Sequence, residues 1–277
     1  MNEELAARIC ADLEKSGMRS ELAARRTFMS RGWSLSGGAA FHDLDEGKSR
    51  EIDIRAARAR RLEHQGMQCC YSEFDVIAEV KKSERPWVVF KAPNGPGKTL
   101  CAWNNLTTAI NLPCKPAKLA GALSKSSLIV RNGWSGTGIH ESFKNPDQPS
   151  RWYSAFVSVV KAASGLAERY QPDGDQTTTD VINNPIEFAL YQPLVVLDGT
   201  LISAELSQDG ELIVAEVTSA AFEFAYETDA YRKGRYRVDL VTLDGLGQYL
   251  DLVAQRHDDV LEGFIANCST PLIRPVS

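Results

Sequence analysis

Two short runs carry the residues best suited to chemistry: Arg50-Glu51-Ile52-Asp53-Ile54 and Ala78-Glu79-Val80-Lys81-Lys82-Ser83. In each, polar residues alternate with Ile, Val or Ala, the period of a strand with one wet and one buried face. Asp53 then points away from Ile52 and Ile54, while Glu79 and Lys81 share a face opposite Val80. Paired, the two strands gather an Asp, a Glu and a Lys on one small patch of sheet. Two carboxylates suit a hard divalent cation, and an ammonium beside them suits a water to be activated. Glu51 shares the Asp53 face and is a weaker candidate, since an exposed strand residue needs no function to explain it.

The elements that must position these runs are legible around them. Leu5, Ile9 and Leu13 recur at i, i+4, i+8 and predict an amphipathic helix over residues 2–16, ended by Gly17. Ser20 is placed to cap a second helix from Glu21 to Arg31, stopped by Gly32. Trp33 opens a strand running to about Phe41, and Asp43 to Lys48 turns the chain into the Asp53 strand. An Arg-rich connection containing Cys69-Cys70 leads to the Glu79 strand, Phe74 to Lys82. Pro86 breaks that strand, and Trp87-Val88-Val89-Phe90 forms a further buried one.

Residues 92–149 are rich in Gly, Pro, Asn, Ser and Lys and predict a peripheral insertion with one short strand at Leu128-Ile129-Val130. Ser150 then caps a long helix from Arg151 to Tyr170, weakened late by Gly165. Pro193 to Leu197 predicts a central strand. The turn Ser207-Gln208-Asp209-Gly210 joins Leu201–Leu206 and Glu211–Val217 as a hairpin. A strand from Arg235 to Val241 and a helix from Leu246 to Arg256 close the pattern.

The 277 residues, 43% hydrophobic and 24% charged, are ordinary globular material sufficient for a large core. No apolar run reaches the roughly 20 residues that span a bilayer, and acids stand where a signal peptide needs bases, which together give the expectation of a cytoplasmic protein without a membrane partner. Six cysteines without a CxxC pair or zinc-type spacing read as reduced thiols. The net charge of −5 argues against a protein that coats nucleic acid non-specifically. Residues 1–100 nevertheless hold 17 Lys and Arg against 15 Asp and Glu, so the part bearing the two runs is the more basic one. Arg55, Arg58, Arg60 and Arg61 follow Asp53, and Lys82, Arg85 and Lys91 surround Lys81, as a solvated face or as phosphate contacts.

The order helix, three strands, long helix, central strand, with Asp53 on the second strand and Glu79-Val80-Lys81 on the third, resembles the PD-(D/E)XK nuclease superfamily. Arg85-Pro86-Trp87-Val88-Val89-Phe90 is similar to the strand that follows the motif in Mrr-like members. The resemblance implies a single α/β domain with a restriction-endonuclease-like core, an α-β-β-β-α-β mixed sheet over residues 18–91 and 150–205. Residues 92–149 would be an inserted loop region and 206–277 a C-terminal β-rich extension. Ile52 replaces the motif's Pro, and the insertion after residue 91 is large. By resemblance, Asp53, Glu79 and the Val80 carbonyl hold Mg²⁺, for which Mn²⁺ substitutes. Lys81 orients the attacking water, and Glu21 completes the metal site. The implied partner is DNA, hydrolysed in a bacterial restriction or defence setting, with Arg55, Lys82 and Lys98 as phosphate contacts. Cleavage of both strands implies a homodimer.

Two other functions compete. Ala92-Pro93-Asn94-Gly95-Pro96-Gly97-Lys98-Thr99 fits a relaxed phosphate-binding loop, and Asp198 after Leu194-Val195-Val196-Leu197 is placed as a Walker B carboxylate, together the pattern of an NTP-hydrolysing protein. Against it stand the crowding prolines and a hairpin directly after Asp198. The third reading is a nucleic-acid binding module whose site is catalytically silent. His42, His64, His140 and His257 lack ligand spacing, Gly133 to Gly138 reads as a flexible loop, and Trp134 and Trp152 are candidates for base stacking or for the core.

Overall fold

The computed structural model describes residues 2–36, 39–64, 67–93, 107–110, 134–145, 147–168, 186–231 and 234–267. They form a mixed α/β fold with four helices and one large mixed sheet. Helices α1 (Glu3–Ser16) and α2 (Met18–Ser30) are separated by Gly17, whose φ of 84° closes the first helix and caps the second. Ser20 is therefore not a cap but lies inside α2, where its hydroxyl donates to Asp198.

The predicted strand from Trp33 to Phe41 is two strands, β1 (Ser34–Leu35) and β2 (Ala39–Asp43). β2 pairs with β3 (Lys48–Ile52) in a separate two-stranded sheet. β1 pairs with β4 (Ile54–His64), and β4 pairs antiparallel with β5 (Met67–Lys82) along nearly its whole length. Cys69-Cys70 thus belongs to a strand, not to a connection.

Beyond β5 the sheet continues through β9 (Ile186–Asp198) and β13 (Arg235–Thr242), both in parallel register, then β12 (Ser219–Ala225), β8 (Trp134–Glu141), β6 (Trp87–Pro93), β10 (Leu201–Leu206) and β11 (Leu212–Glu216). β7 (Thr107–Ile110) pairs with the first part of β9. Residues 92–149 therefore supply strands to the sheet instead of a peripheral insertion, and the stretch read as a flexible loop around Gly136 is β8; Leu128-Ile129-Val130 lies outside the described residues. Pro193, in the middle of β9, falls between the end of β7 pairing at Leu190 and the start of β13 pairing at Leu194, where a missing amide disrupts least.

Period-two alternation along β5 and β9 builds a core on each face. Phe74, Val76, Ala78, Leu190, Leu194 and Val196 pack under α2 and α4 (Leu246–Asn267), which extends well beyond the predicted end at Arg256. Ile77, Tyr191, Val195 and Leu197 pack under α3 (Arg151–Glu168) and the β2–β3 hairpin. Gly165, which weakens α3 by propensity, is explained by packing: a Cβ there would come within 2.8 Å of the His42 carbonyl oxygen on β2. One turn earlier Lys161 places its ammonium 3.0 and 3.1 Å from the buried Asp43 carboxylate and 2.8 Å from Asp45, clamping the hairpin onto α3. No helix among the described residues is long and apolar enough to cross a membrane.

Candidate functional site

Asp53 stands where the chain leaves the small sheet for the large one. Ile52 is buried against α3 and Ile54 against α2 and α4, so residues 50–54 are not one strand with both isoleucines on one face. The chain bends at Asp53, and the bend aims the side chain along the β5 backbone, where Oδ2 accepts the Val80 amide at 2.7 Å. The Asp53 carbonyl accepts from the Arg25 guanidinium. Arg25 is itself held by Glu21 one turn earlier on α2, at 2.8 Å. Glu21 therefore meets Asp53 through Arg25.

On β5 the alternation works as the sequence implies. Glu79 and Lys81 share the face toward α3, with Lys81 Nζ 2.5 Å from Glu79 Oε1, while Ser158 of α3 donates to Glu79 Oε2 at 3.2 Å. Burial lifts the Glu79 carboxyl above the ordinary carboxylate range; Lys81 opposes the shift and the charge of Asp53 adds to it. No group of three His, Cys, Asp or Glu side chains placed to hold a metal occurs among the described residues.

Asp53, Val80 and Lys81 open onto a cavity of about 870 Å³, and Glu21 lines it too. Glu79, paired with Lys81, is not among the residues that line it. Three parts of the chain wall the cavity: the α1–α2 corner with Lys15, the β5–β6 turn with Lys82 and Arg85, and the β8–α3 loop with Lys144 and Arg151. Glu141, at the end of β8, accepts the Arg151 and Trp152 amides at 2.7 and 3.4 Å and so caps α3, the role expected of Ser150. Arg151 in turn donates to the Lys82 carbonyl at 3.2 Å and to Ser83 Oγ at 2.9 Å, tying the helix to the end of β5.

Several expected contacts go elsewhere. Arg55 does not face the cavity as a phosphate contact; it pairs across the hairpin with Asp75 at 2.9 and 3.2 Å and with Glu73 at 3.6 Å. Burial holds the Asp75 carboxyl up at about 6 against the pull of Arg55. Arg58 and Arg60 bind Asp258 of α4, and Arg61 lies over the Tyr71 ring. The basic run after Asp53 is thus spent on the fold, because it occupies a strand covered by α4. Lys82 does line the cavity, its Nζ donating to the Glu14 carbonyl. Glu51 is exposed on β3, away from the cavity. Lys98 and the rest of its loop beyond Pro93 lie outside the described residues. Asp198, paired with Ser20 and followed by β10, ends the central strand beside Lys82. Trp152 packs edge-on against Phe156, and Trp134 carries the Lys91 ammonium over its ring.

Sequence reasoning did not single out Lys15, Lys144, Arg151, Ser158 or Arg25. Only Arg25 carried a signal, the i, i+4 spacing to Glu21; the others meet the site through tertiary packing. Set against protein-family models, curated proteins and solved structures, the chain matches none.

Proposed function

We propose that this protein is a Mg²⁺-dependent nuclease that hydrolyses phosphodiester bonds in DNA. The observation that carries the reading is Asp53 held on the Val80 amide next to the Glu79–Lys81 pair at one end of β5, with Asp53 and Lys81 open to a cavity rimmed with Lys and Arg. The order α2, β1, β4, β5, α3, β9, with those four strands adjacent in that order in the sheet, supports the restriction-endonuclease-like core as its finer fold description.

Asp53 and Glu79, with the Val80 carbonyl, are the residues that would hold Mg²⁺, which when bound polarises the scissile phosphate and lowers the pKa of a coordinated water. Lys81 lines the cavity and pairs with Glu79; its role in this reading is to orient the attacking water and to offset charge gathering on the phosphate oxygens. The Val80 amide fixes the Asp53 carboxylate, and Ser158 fixes that of Glu79, so neither must be ordered at the moment of reaction. Arg25 holds the Asp53 backbone at the bend, and Glu21 holds Arg25.

Plasmid and linear DNA incubated with Mg²⁺ or Mn²⁺ test this directly. The expected outcome is cleavage that falls by at least about 100-fold in Asp53→Ala and in Lys81→Ala. Absence of cleavage with either metal, or cleavage unchanged in both variants, removes the proposal.

A further inference from the structure

The rim of the cavity carries more positive charge than the proposed chemistry uses. Lys15 ends α1, Lys82 ends β5, Arg85 stands in the β5–β6 turn and Lys144 in the β8–α3 loop. Among the described residues none of these four is ion-paired with a carboxylate. Their recorded hydrogen bonds go to uncharged oxygens: the Glu14 carbonyl for Lys82 and the Ser150 hydroxyl for Lys144. The acids that share the cavity are largely committed. Glu21 is paired with Arg25, Glu141 with the α3 amides and Arg151, and Asp53 with the Val80 amide, leaving Glu84 at the turn. Four unpaired cations from three separate segments, converging on one cavity in a chain of net charge −5, form a polyanion site.

The shape of the cavity selects the polyanion. An open trough would accept a continuous duplex, but here the α1–α2 corner, the β5–β6 turn and the β8–α3 loop stand around the reactive patch, and Lys15, Ser16, Gly17 and Met18 form one wall. About 870 Å³ lies within the range of roughly 300–1,000 Å³ that small ligands fill. A single strand can bend between these walls, whereas a duplex, stiff over a persistence length of about 50 nm, meets them as a rigid rod. The rim cations come from three segments around Asp53 and Lys81, the arrangement that a flexible strand with several phosphates can use.

We propose that the site takes single-stranded DNA, either a free strand or the unpaired end of a duplex, and that Lys15, Lys82, Arg85 and Lys144 hold the phosphates flanking the reactive one. The inference rests on the nuclease reading for its orientation, but its binding prediction stands apart from catalysis. A site that takes one strand at a time also acts without a second copy of the chain.

Fluorescence anisotropy on the wild-type protein in EDTA separates the two. A labelled single-stranded oligonucleotide is expected to bind at least about 10-fold more tightly than a duplex of the same sequence closed by hairpin loops at both ends. In Lys15→Ala, Lys82→Ala, Arg85→Ala and Lys144→Ala, each checked for folding by circular dichroism, single-strand binding is expected to weaken. The slope of log K against log salt is expected to shrink by about 0.7 in each, a change that a purely structural role does not produce. Equal or tighter binding of the closed duplex, salt slopes unmoved in all four variants, or displacement of the oligonucleotide by a mononucleoside triphosphate at equal concentration would each overturn the inference. Single-strand binding without cleavage in Mg²⁺ or Mn²⁺ would leave it standing and defeat the nuclease reading instead; cleavage of closed duplex as fast as single strand would do the reverse.

Discussion

Ser158 and His257 show how single side chains act at a distance from the cavity. The Ser158 hydroxyl is the only recorded contact from α3 that holds the Glu79 carboxylate among the described residues. Under the proposed nuclease function, in which Glu79 holds the metal, Ser158→Ala is expected to lower DNA cleavage about 10-fold, while leaving the urea unfolding midpoint nearly unchanged. His257 is fully buried on α4, its Nε2 2.6 Å from Ser72 Oγ. Burial, reinforced by Arg58 and Arg60 and opposed by Asp258, pushes its pKa down to about 4. The unfolded chain, with His near 6.5, binds the extra proton first as pH falls, so the stabilising contribution is whole above pH about 6.5 and is lost toward pH 4, amounting to about 3 kcal/mol at most. Urea unfolding followed from pH 7 to pH 4 is expected to show this loss, with a flatter slope in His257→Leu. Identical slopes would place the acid sensitivity in other groups.

At the scale of elements, α3 and the end of β5 behave as one unit. Glu141 caps α3, Arg151 in its first turn grips the Lys82 carbonyl and Ser83, and Lys161 farther along fixes the β2–β3 hairpin whose chain leads into Asp53. The helix therefore sets both sides of the reactive patch. Glu141→Ala leaves the first amides of α3 without their acceptor and is expected to destabilise the fold by about 1–2 kcal/mol, whereas Glu141→Gln, which keeps an acceptor oxygen, is expected to lose less. Denaturant titration distinguishes them; equal stability of both variants and the wild type would show the cap to be dispensable. Helix α1 differs in kind, because none of its residues is buried. Its contribution lies in carrying Lys15 to the cavity wall, not in the core.

Across the whole molecule, the two cores fix a sheet that ends, among the described residues, at β11. β11 is the edge strand, every residue of it exposed, and Leu212 and Val214 continue with Leu206 on β10 as an apolar strip on one face. An exposed apolar strand at the edge of a sheet is a template for strand addition during heating. Val214→Lys is expected to leave the melting temperature within about 2 °C, since surface changes rarely exceed ±0.5 kcal/mol, and to reduce light scattering on thermal unfolding. Unchanged scattering would show that aggregation starts from another segment.

The sequence by itself determined the elements that depend on local pattern. Alternation placed Glu79 and Lys81 on one face, the Asp-Gly turn placed the β10–β11 hairpin, and the i, i+4 stripe placed α1, because these signals act between residues close along the chain. Local pattern misled where a partner far along the chain decided the outcome. Alternation made residues 50–54 one strand, yet two sheets compete for them and the chain bends at Asp53; Ser150 is a good cap by type, yet Glu141 reaches the amides; Arg55 looked available, yet Asp75 lies opposite it. Only the tertiary structure brought Lys15, Lys144 and Arg151 around Asp53 and Lys81. No periodicity records such a meeting, since charge on a cavity wall is set by which loops the packed layers bring together.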